Sequence, residues 1–200
     1  MNFIHCVKSV YPQQSCEDLI KWFNKHKHLQ QTGVMGQERE SLNNREICIR
    51  VKEPDDYYGL GKTLKEGIDN FLLNYPHTDR YGGKWRLDLA MQVMKYEPDQ
   101  YYSRLHCEND GHAHYLRRAF AWQIFLNTIK SGGGTEFVYQ KFVAQPVVGD
   151  FYMWPAGWTH LHRGVNAPKE TKYIITGWCS YTKRWLLWMA KKLESKFWQE

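Results

Sequence analysis

The stretch that decides the fold is residues 150–180, DFYMWPAGWTHLHRGVNAPKETKYIITGWCS. Three short segments in it, residues 150–154, 159–165 and 172–180, are rich in aromatic and β-branched residues, and Pro, Gly and Asn separate them. Short, evenly spaced segments of this kind are typical of antiparallel strands in a sandwich or a barrel. The stretch therefore predicts a β core.

The same pattern extends upstream. From Trp85 the apolar period is two, and further strands are predicted over residues 101–108, 119–127 and 136–143. Residues up to about 80 have mostly helical spacing, with helices predicted to begin at the caps Ser15 and Thr63. Residues 183–198 return to helical spacing and predict a helix on the outside of the β core, favoured over a partner-binding helix.

We therefore expect a mainly β fold with flanking helices (α+β) in a single domain, residues 1–200. Helical support is expected over about residues 1–80, the β core over about 85–182, and a C-terminal helix over about 183–198. A chain of 200 residues with 42% hydrophobic and 24% charged residues has an ordinary globular composition, which excludes disordered and fibrous proteins.

Composition also limits the compartment and the partners. No apolar run approaches 18 residues and no secretory signal opens the chain, so no membrane association is expected. The five cysteines are scattered, without a C-x-x-C pair, which favours a reducing, cytoplasmic interior. The net charge is +6, but basic residues do not alternate with aromatic ones along one groove, so no nucleic-acid partner is expected. The oligomeric state is left open.

The first motif that could bind a metal or take part in catalysis is His106-Cys107-Glu108. On a strand, residues i and i+2 point to one face, so the imidazole and the carboxylate would project side by side while Cys107 points away. This geometry suits two adjacent corners of a metal octahedron. A triplet of this kind alone is more often surface decoration.

A second motif follows about fifty residues later, where His160 and His162 share one parity. Either histidine would complete a 2-His-1-carboxylate triad, which leaves three metal positions open and suits Fe(II) and oxygen chemistry. Alternation alone does not choose between them.

A third feature is Lys172, which opens a predicted strand and shares a face with Thr176 and Trp178. If that face is the interior of a barrel, the lysine must find an anion. A lysine near a metal, helped by the Thr176 hydroxyl, suits the far end of a dicarboxylate co-substrate. The alternative is a basic residue at the exposed start of a strand. Candidates for the pocket wall, each equally able to pack in the core, are Trp154, Trp158, Trp178 and Tyr102.

The order of these features resembles the Fe(II)/2-oxoglutarate-dependent dioxygenases, in which an H-x-[DE] triplet precedes, by about fifty residues, a His with a basic residue ten positions further on. It is most similar to the prolyl 4-hydroxylase-like branch, which has Lys at that position and includes small bacterial and viral versions. The resemblance runs from about Leu87 to Tyr181. Further matches are Tyr96, the turn GGGTEF at residues 132–137, and Gly149-Asp150 before a strand that ends in Trp154-Pro155.

This resemblance implies a double-stranded β-helix (a jelly roll, cupin-like) with helices packed on one side. It implies that Fe(II) is bound by the catalytic residues His106, Glu108 and His162. It further implies that 2-oxoglutarate is bound by Lys172 and Tyr96, with Thr176 as a helper. The expected activity uses O2, with ascorbate as a reductant, to hydroxylate a C–H bond of a peptide or small molecule, such as a prolyl residue, with release of succinate and CO2. A virus-encoded member would act in the host cytoplasm.

Two features depart from this pattern. Glu108 stands where Asp is usual and is one methylene longer. His112, His114 and His160 are additional imidazoles, which we interpret as loop or supporting residues. The rival interpretation is a non-redox metal-binding jelly roll, either a sugar isomerase or a lectin-like module. Such a protein would need the metal but would have no use for Lys172 paired with Thr176.

Overall fold

The computed structural model describes residues 2–32, 44–79 and 83–182. In chain order its elements are β1 (His5–Val7), α1 (Gln13–Lys25), β2 (Gln31–Thr32), β3 (Arg45–Arg50), α2 (Asp56–Asn74), β4 (Trp85–Leu87), β5 (Ala90–Tyr96), β6 (Arg118–Phe125), β7 (Thr135–Phe137), β8 (Phe142–Ala144), β9 (Phe151–Pro155), β10 (His162–Gly164) and β11 (Lys172–Tyr181). Single 3₁₀ turns lie at Lys27–Leu29 and Trp158–His160.

The strands form two antiparallel sheets. The large sheet has the order β1-β9-β6-β11-β5-β3-β2, with β4 also paired to β11, and the small sheet has the order β10-β7-β8. The longest strand, β11, pairs with β6 on one side and with β5 and then β4 on the other. Because β11 is central, its alternate side chains point into the two opposite faces of the large sheet.

Each face of the large sheet has its own core. On one face the helices α1 and α2 cover what we call the helix-side core, which includes Leu19, Phe23, Leu64, Phe71, Ile49, Trp122, Phe151 and Ile175. On the other face the small sheet closes over the barrel core, which includes Phe125, Trp154 and Ile174 from the large sheet and Phe137 and Ala144 from the small one. The helices thus pack on one side of a core of two facing sheets.

The predicted helix starts are wrong. Helix α1 follows Pro12, whose φ of −57° already suits a helix, and no side chain caps it, so Ser15 lies inside the helix. Helix α2 begins at Asp56, passes through left-handed residues at Tyr57 and Tyr58, and buries Thr63 in its interior. The apolar spacing predicts both helices at about the right place. The predicted caps are wrong because neither helix starts with a side-chain hydrogen bond to its first turn.

Several predicted strands also differ from the structure. Residues 101–108 form no strand beyond a single bridge from His106 to His162, and residues 136–143 turn back on themselves as the hairpin β7–β8. The N-terminal part is not only helical, since β1 pairs with β9 and β3 pairs with β5. The predicted C-terminal helix over residues 183–198 lies outside the described residues, and the single-domain assignment stays a prediction.

Within the described ranges, neither helix is long and apolar enough to span a membrane.

Candidate active site

His106, Glu108 and His162 converge at the mouth of the barrel core, and one donor atom from each lies within 4.8 Å of the others. Glu108 Oε1 is 3.6 Å from His106 Nε2 and 3.5 Å from His162 Nε2. Two backbone hydrogen bonds join the separated segments, from His106 N to the His162 carbonyl at 3.0 Å and from His162 N to the His106 carbonyl at 2.9 Å. This short bridge brings the two sequence motifs together.

Both imidazoles are oriented by backbone carbonyls. His106 Nδ1 is 3.0 Å from the Arg104 carbonyl, and His162 Nδ1 is 2.9 Å from the His160 carbonyl. Because a carbonyl oxygen only accepts, each Nδ1 carries a proton, and each Nε2 faces the centre of the group as the nitrogen available to a metal. His162 is only 4% exposed.

The two carboxylate oxygens of Glu108 have different surroundings. Oε1 faces the imidazoles, whereas Oε2 accepts hydrogen bonds from Trp178 Nε1 at 2.6 Å and from Arg118 Nη1 at 3.1 Å. Burial alone would raise the pKa of Glu108, but the facing imidazoles of His106 and His162 outweigh burial and hold the pKa well below its usual range. The glutamate is therefore an anion with one oxygen directed at the two Nε2 atoms.

This donor set fits a divalent first-row metal. Two neutral imidazole nitrogens and one carboxylate oxygen on one side of the ion are the ligands of a non-haem Fe(II) centre. Donors at adjacent corners of an octahedron with bonds of about 2.1 Å are about 3.0 Å apart, so distances of 3.5 and 3.6 Å need only a small contraction. The additional methylene of Glu108 does not take its carboxylate out of reach.

Lys172 is the first residue of β11 and lies on the barrel side of the sheet, 4% exposed. Its Nζ is 4.7 Å from the ring centroid of Tyr96, its cross-strand partner. No acidic side chain of the described residues lies within 4.0 Å of this nitrogen. Burial lowers the pKa of Lys172 to about 8, which is the expected result for a buried cation without a counter-ion.

Two other predicted co-substrate residues lie on the same side of the sheet. Tyr96 is buried, and burial raises the pKa of its phenol. The Thr176 hydroxyl donates to the Trp122 carbonyl at 2.7 Å. A hydroxyl has one proton, so in this arrangement Thr176 has none left for an anion.

The remaining histidines lie outside the ligand group. His160 is buried, with Nε2 2.9 Å from the Asn2 carbonyl and Nδ1 3.0 Å from Thr159 Oγ1. Both of its nitrogens are therefore engaged, and burial lowers its pKa. His112 and His114 are exposed.

The predicted aromatic wall is only partly present. Trp154 packs on the ring of His162 at 5.2 Å, and Tyr102 packs on the ring of His106 at 4.2 Å. Trp158 is 70% exposed and does not line the barrel.

Arg118 is a site residue that sequence reasoning missed. Alternation along β6 would point it toward the helix-side core, as it points Phe120. The register of β11 against β6 shifts between Cys179 and Ser180, and this bulge turns Arg118 to the barrel side, where it meets Glu108. No signal in the sequence marks the bulge.

Comparisons with known proteins agree with this geometry. Residues 91–180 match the model of the 2OG-Fe(II) oxygenase superfamily. The matched segment is 90 of the 200 residues and contains His106, Glu108, His162 and Lys172. The family implies Fe(II), 2-oxoglutarate and O2, and it does not favour the alternative of a sugar isomerase or lectin-like module.

Among curated proteins, the chain is 32% identical over 122 residues to procollagen-lysine,2-oxoglutarate 5-dioxygenase 1 of Rattus norvegicus. The match covers 56% of this chain but 16% of the rat protein, so the chain spans a small part of that relative's length.

Solved prolyl hydroxylases share the fold. A viral collagen prolyl hydroxylase from Paramecium bursaria Chlorella virus-1, in complex with 2OG, has a TM-score of 0.66 at 17% identity, covering 90% of this chain and 97% of that one. A Pseudomonas putida prolyl-4-hydroxylase has a TM-score of 0.66 at 17% identity, covering 89% and 92%. A Trichoplax adhaerens prolyl hydroxylase, bound to a hypoxia inducible factor peptide fragment, has a TM-score of 0.67 at 14% identity, covering 90% and 84%. The predicted jelly-roll fold is confirmed.

Proposed function

We propose that this chain is an Fe(II)- and 2-oxoglutarate-dependent dioxygenase that hydroxylates a C–H bond of a peptide side chain. In this proposal His106, Glu108 and His162 bind the metal and Lys172 binds the distal carboxylate of 2-oxoglutarate. The observation that carries the proposal is the pairing of three converging donor atoms with a buried lysine that has no acidic partner among the described residues. A metal-binding module without redox chemistry has no need for that lysine.

The protein's own residues supply position and polarity. In both His106 and His162 the Nδ1 nitrogen is engaged by a backbone carbonyl, so Nε2 is the nitrogen that can bind the metal. Lys172 offers a charge-assisted contact in a water-poor interior, which fixes the direction of a dicarboxylate as well as adding affinity. The Tyr96 ring lies 4.7 Å from Lys172 Nζ and restricts where the carboxylate can lie. Thr176 stays a predicted helper, which would have to release the Trp122 carbonyl in order to donate to the co-substrate.

Bound Fe(II) supplies the oxygen chemistry: as 2-oxoglutarate loses CO2, one atom of O2 enters succinate and the other is inserted into the C–H bond. The chain's part in this chemistry is to exclude water from the donor group. Phe137 and Trp154 pack against the His162 ring at 5.3 and 5.2 Å and form an apolar floor beneath the site.

The peptide substrate is supported by the names of similar proteins. One solved neighbour is a collagen prolyl hydroxylase and another is a prolyl hydroxylase in complex with a peptide fragment, and these likenesses support a prolyl residue as the target. The rat relative is named for procollagen lysine and has the higher identity, which supports a lysyl residue as a second candidate. An intracellular site of action, with ascorbate as a reductant, completes the proposal.

The test is succinate release from 2-oxoglutarate with Fe(II) and ascorbate, first without a substrate and then with peptides that contain proline or lysine. We expect slow release alone, faster release with the true substrate, and a mass gain of one oxygen atom on that peptide. If the wild-type protein binds metal but neither consumes 2-oxoglutarate nor oxidises any peptide, the enzyme proposal is wrong.

A further inference from the structure

The second oxygen of Glu108 is held by two donors. Oε2 is 2.6 Å from Trp178 Nε1 and 3.1 Å from Arg118 Nη1, and the side chains of Glu108, Trp178 and Arg118 are all partly buried. Charge-assisted hydrogen bonds of this length are among the strong ones in proteins. Oε1, by contrast, faces the two imidazoles.

The two donors also hold each other. The Arg118 guanidinium lies over the Trp178 ring at 3.7 Å and over the Tyr115 ring at 4.3 Å, and Nη1 makes a further contact of 3.3 Å with the Glu108 carbonyl. Stacking and hydrogen bonding fix the guanidinium in one plane. Neither donor can leave Oε2 without losing a second contact.

This arrangement bears on how many metal positions Glu108 can occupy. A carboxylate with both oxygens free is able to bind a metal through one or both of them. Glutamate has one more rotatable bond than aspartate, so it is the freer of the two to swing its second oxygen onto the ion. In this chain that oxygen faces away, toward Trp178 and Arg118.

We propose that Trp178 and Arg118 are positioning residues that keep Glu108 a one-oxygen ligand. The inference rests on the proposed function, in which three metal positions must stay open, two for 2-oxoglutarate and one for O2. If Oε2 also bound the metal, only two positions would remain. The Trp178–Arg118 pair therefore offsets the additional freedom that glutamate brings to this position.

The experiment measures Mn²⁺ binding and then 2-oxoglutarate binding to the Mn²⁺-loaded protein, both by calorimetry. The variant is Trp178→Phe, which keeps an aromatic ring but removes the N–H donor. The matched control is Trp85→Phe, because the Trp85 Nε1 has no hydrogen-bond partner among the residues that the structure describes. Arg118→Gln is the second variant, and thermal unfolding checks that each protein is folded.

We expect Trp178→Phe to bind Mn²⁺ within about threefold of the wild type but to bind 2-oxoglutarate about tenfold more weakly, the size typical of changes to residues that support a metal ligand. Trp85→Phe should change neither affinity. Arg118→Gln should act in the same direction as Trp178→Phe. In a Glu108→Asp background the effect of Trp178→Phe should disappear, since the shorter carboxylate cannot reach both the imidazoles and the indole.

Two results would overturn the inference. One is a loss of Mn²⁺ affinity with unchanged 2-oxoglutarate affinity at saturating Mn²⁺, which would make the pair a purely structural support. The other is that Trp178→Phe and Trp85→Phe have the same Mn²⁺ affinity and the same 2-oxoglutarate affinity. Failure of the proposed function would be seen in the wild-type protein itself, as an absence of Mn²⁺-dependent 2-oxoglutarate binding. Failure of this inference alone would be seen only in the variants, so the two failures are distinguishable.

Discussion

The two faces of the large sheet are built from the same strands but serve different purposes. The helix-side core joins side chains such as Phe71 and Phe151 into a continuous apolar layer. The barrel side buries His162 and Lys172 among its aromatic residues, along with a Thr135–Gln123 hydrogen bond of 3.3 Å. Burying such groups costs free energy unless each finds a partner. We infer that the helix-side core supplies much of the free energy of folding, whereas the buried polar groups on the barrel side lower it and are kept for the chemistry of the site.

The largest effect should come from His162→Ala, which removes one of the three converging donors. We expect metal-dependent succinate release to fall to background, because the metal would keep only two protein ligands. Isothermal titration with Mn²⁺ measures the loss directly.

His160→Ala is the matched control, since His160 is an equally buried histidine two residues away whose nitrogens contact Asn2 and Thr159 instead. It should lose some stability and keep metal binding. If His160→Ala removed metal binding and His162→Ala did not, the ligand assignment would be reversed.

On the opposite face, Phe71→Ala should lower the free energy of unfolding by about 3–5 kcal/mol, because Phe71 is fully buried in the helix-side core. Urea denaturation measures the loss. Mn²⁺ affinity of the folded fraction should stay unchanged at low temperature. A large fall in that affinity would show that the two faces are coupled, contrary to the comparison above.

Lys172→Met should raise the KM for 2-oxoglutarate by about 10–100-fold, because this is the effect expected when one hydrogen bond to a charged group is lost. Lys95→Met is the control, since Lys95 lies next to Tyr96 in β5 but pairs with Glu97 at the surface. An unchanged KM in Lys172→Met would remove the lysine from the co-substrate site.

The same variant tests the cost of the buried charge in the metal-free protein. The pKa of Lys172 is about 8 when folded, against 10.5 for an ordinary lysine. Below pH 8 the folded and unfolded states are both protonated, so the wild type carries the full penalty, up to about 3 kcal/mol. Between pH 8 and 10.5 only the unfolded state keeps the proton, so wild-type stability should rise relative to Lys172→Met. Urea unfolding at pH 7 and pH 10 measures this change.

The smallest effect should come from Thr176→Val. Losing the hydrogen bond to the Trp122 carbonyl should cost about 1 kcal/mol of stability, and the KM for 2-oxoglutarate should change by less than the effect of Lys172→Met. A KM shift as large as that of Lys172→Met would establish Thr176 as a direct partner of the co-substrate.

Much of the fold followed from alternation. The strands over 119–127, 150–154 and 172–180 were predicted within a few residues because the corresponding β6, β9 and β11 residues are all buried or half-buried. The prediction failed where a turn breaks the pattern, as between β7 and β8, where Lys141 takes a φ of +49°. It also failed at residues 101–108, since a segment held by one bridge has no sheet to impose alternation.

By itself, the sequence determined which side chains could form the site: an imidazole and a carboxylate two residues apart, two later histidines, and a lysine in phase with the barrel face. The family resemblance, with Lys172 ten residues further on, indicated His162 rather than His160, and the tertiary structure brings His162 to His106 through a backbone bridge. The tertiary structure alone brought Arg118 to Glu108, through a bulge in β6. The physical reason is that residue type and local period set the direction of a side chain within its own strand, whereas pairing between distant strands determines which side chains meet.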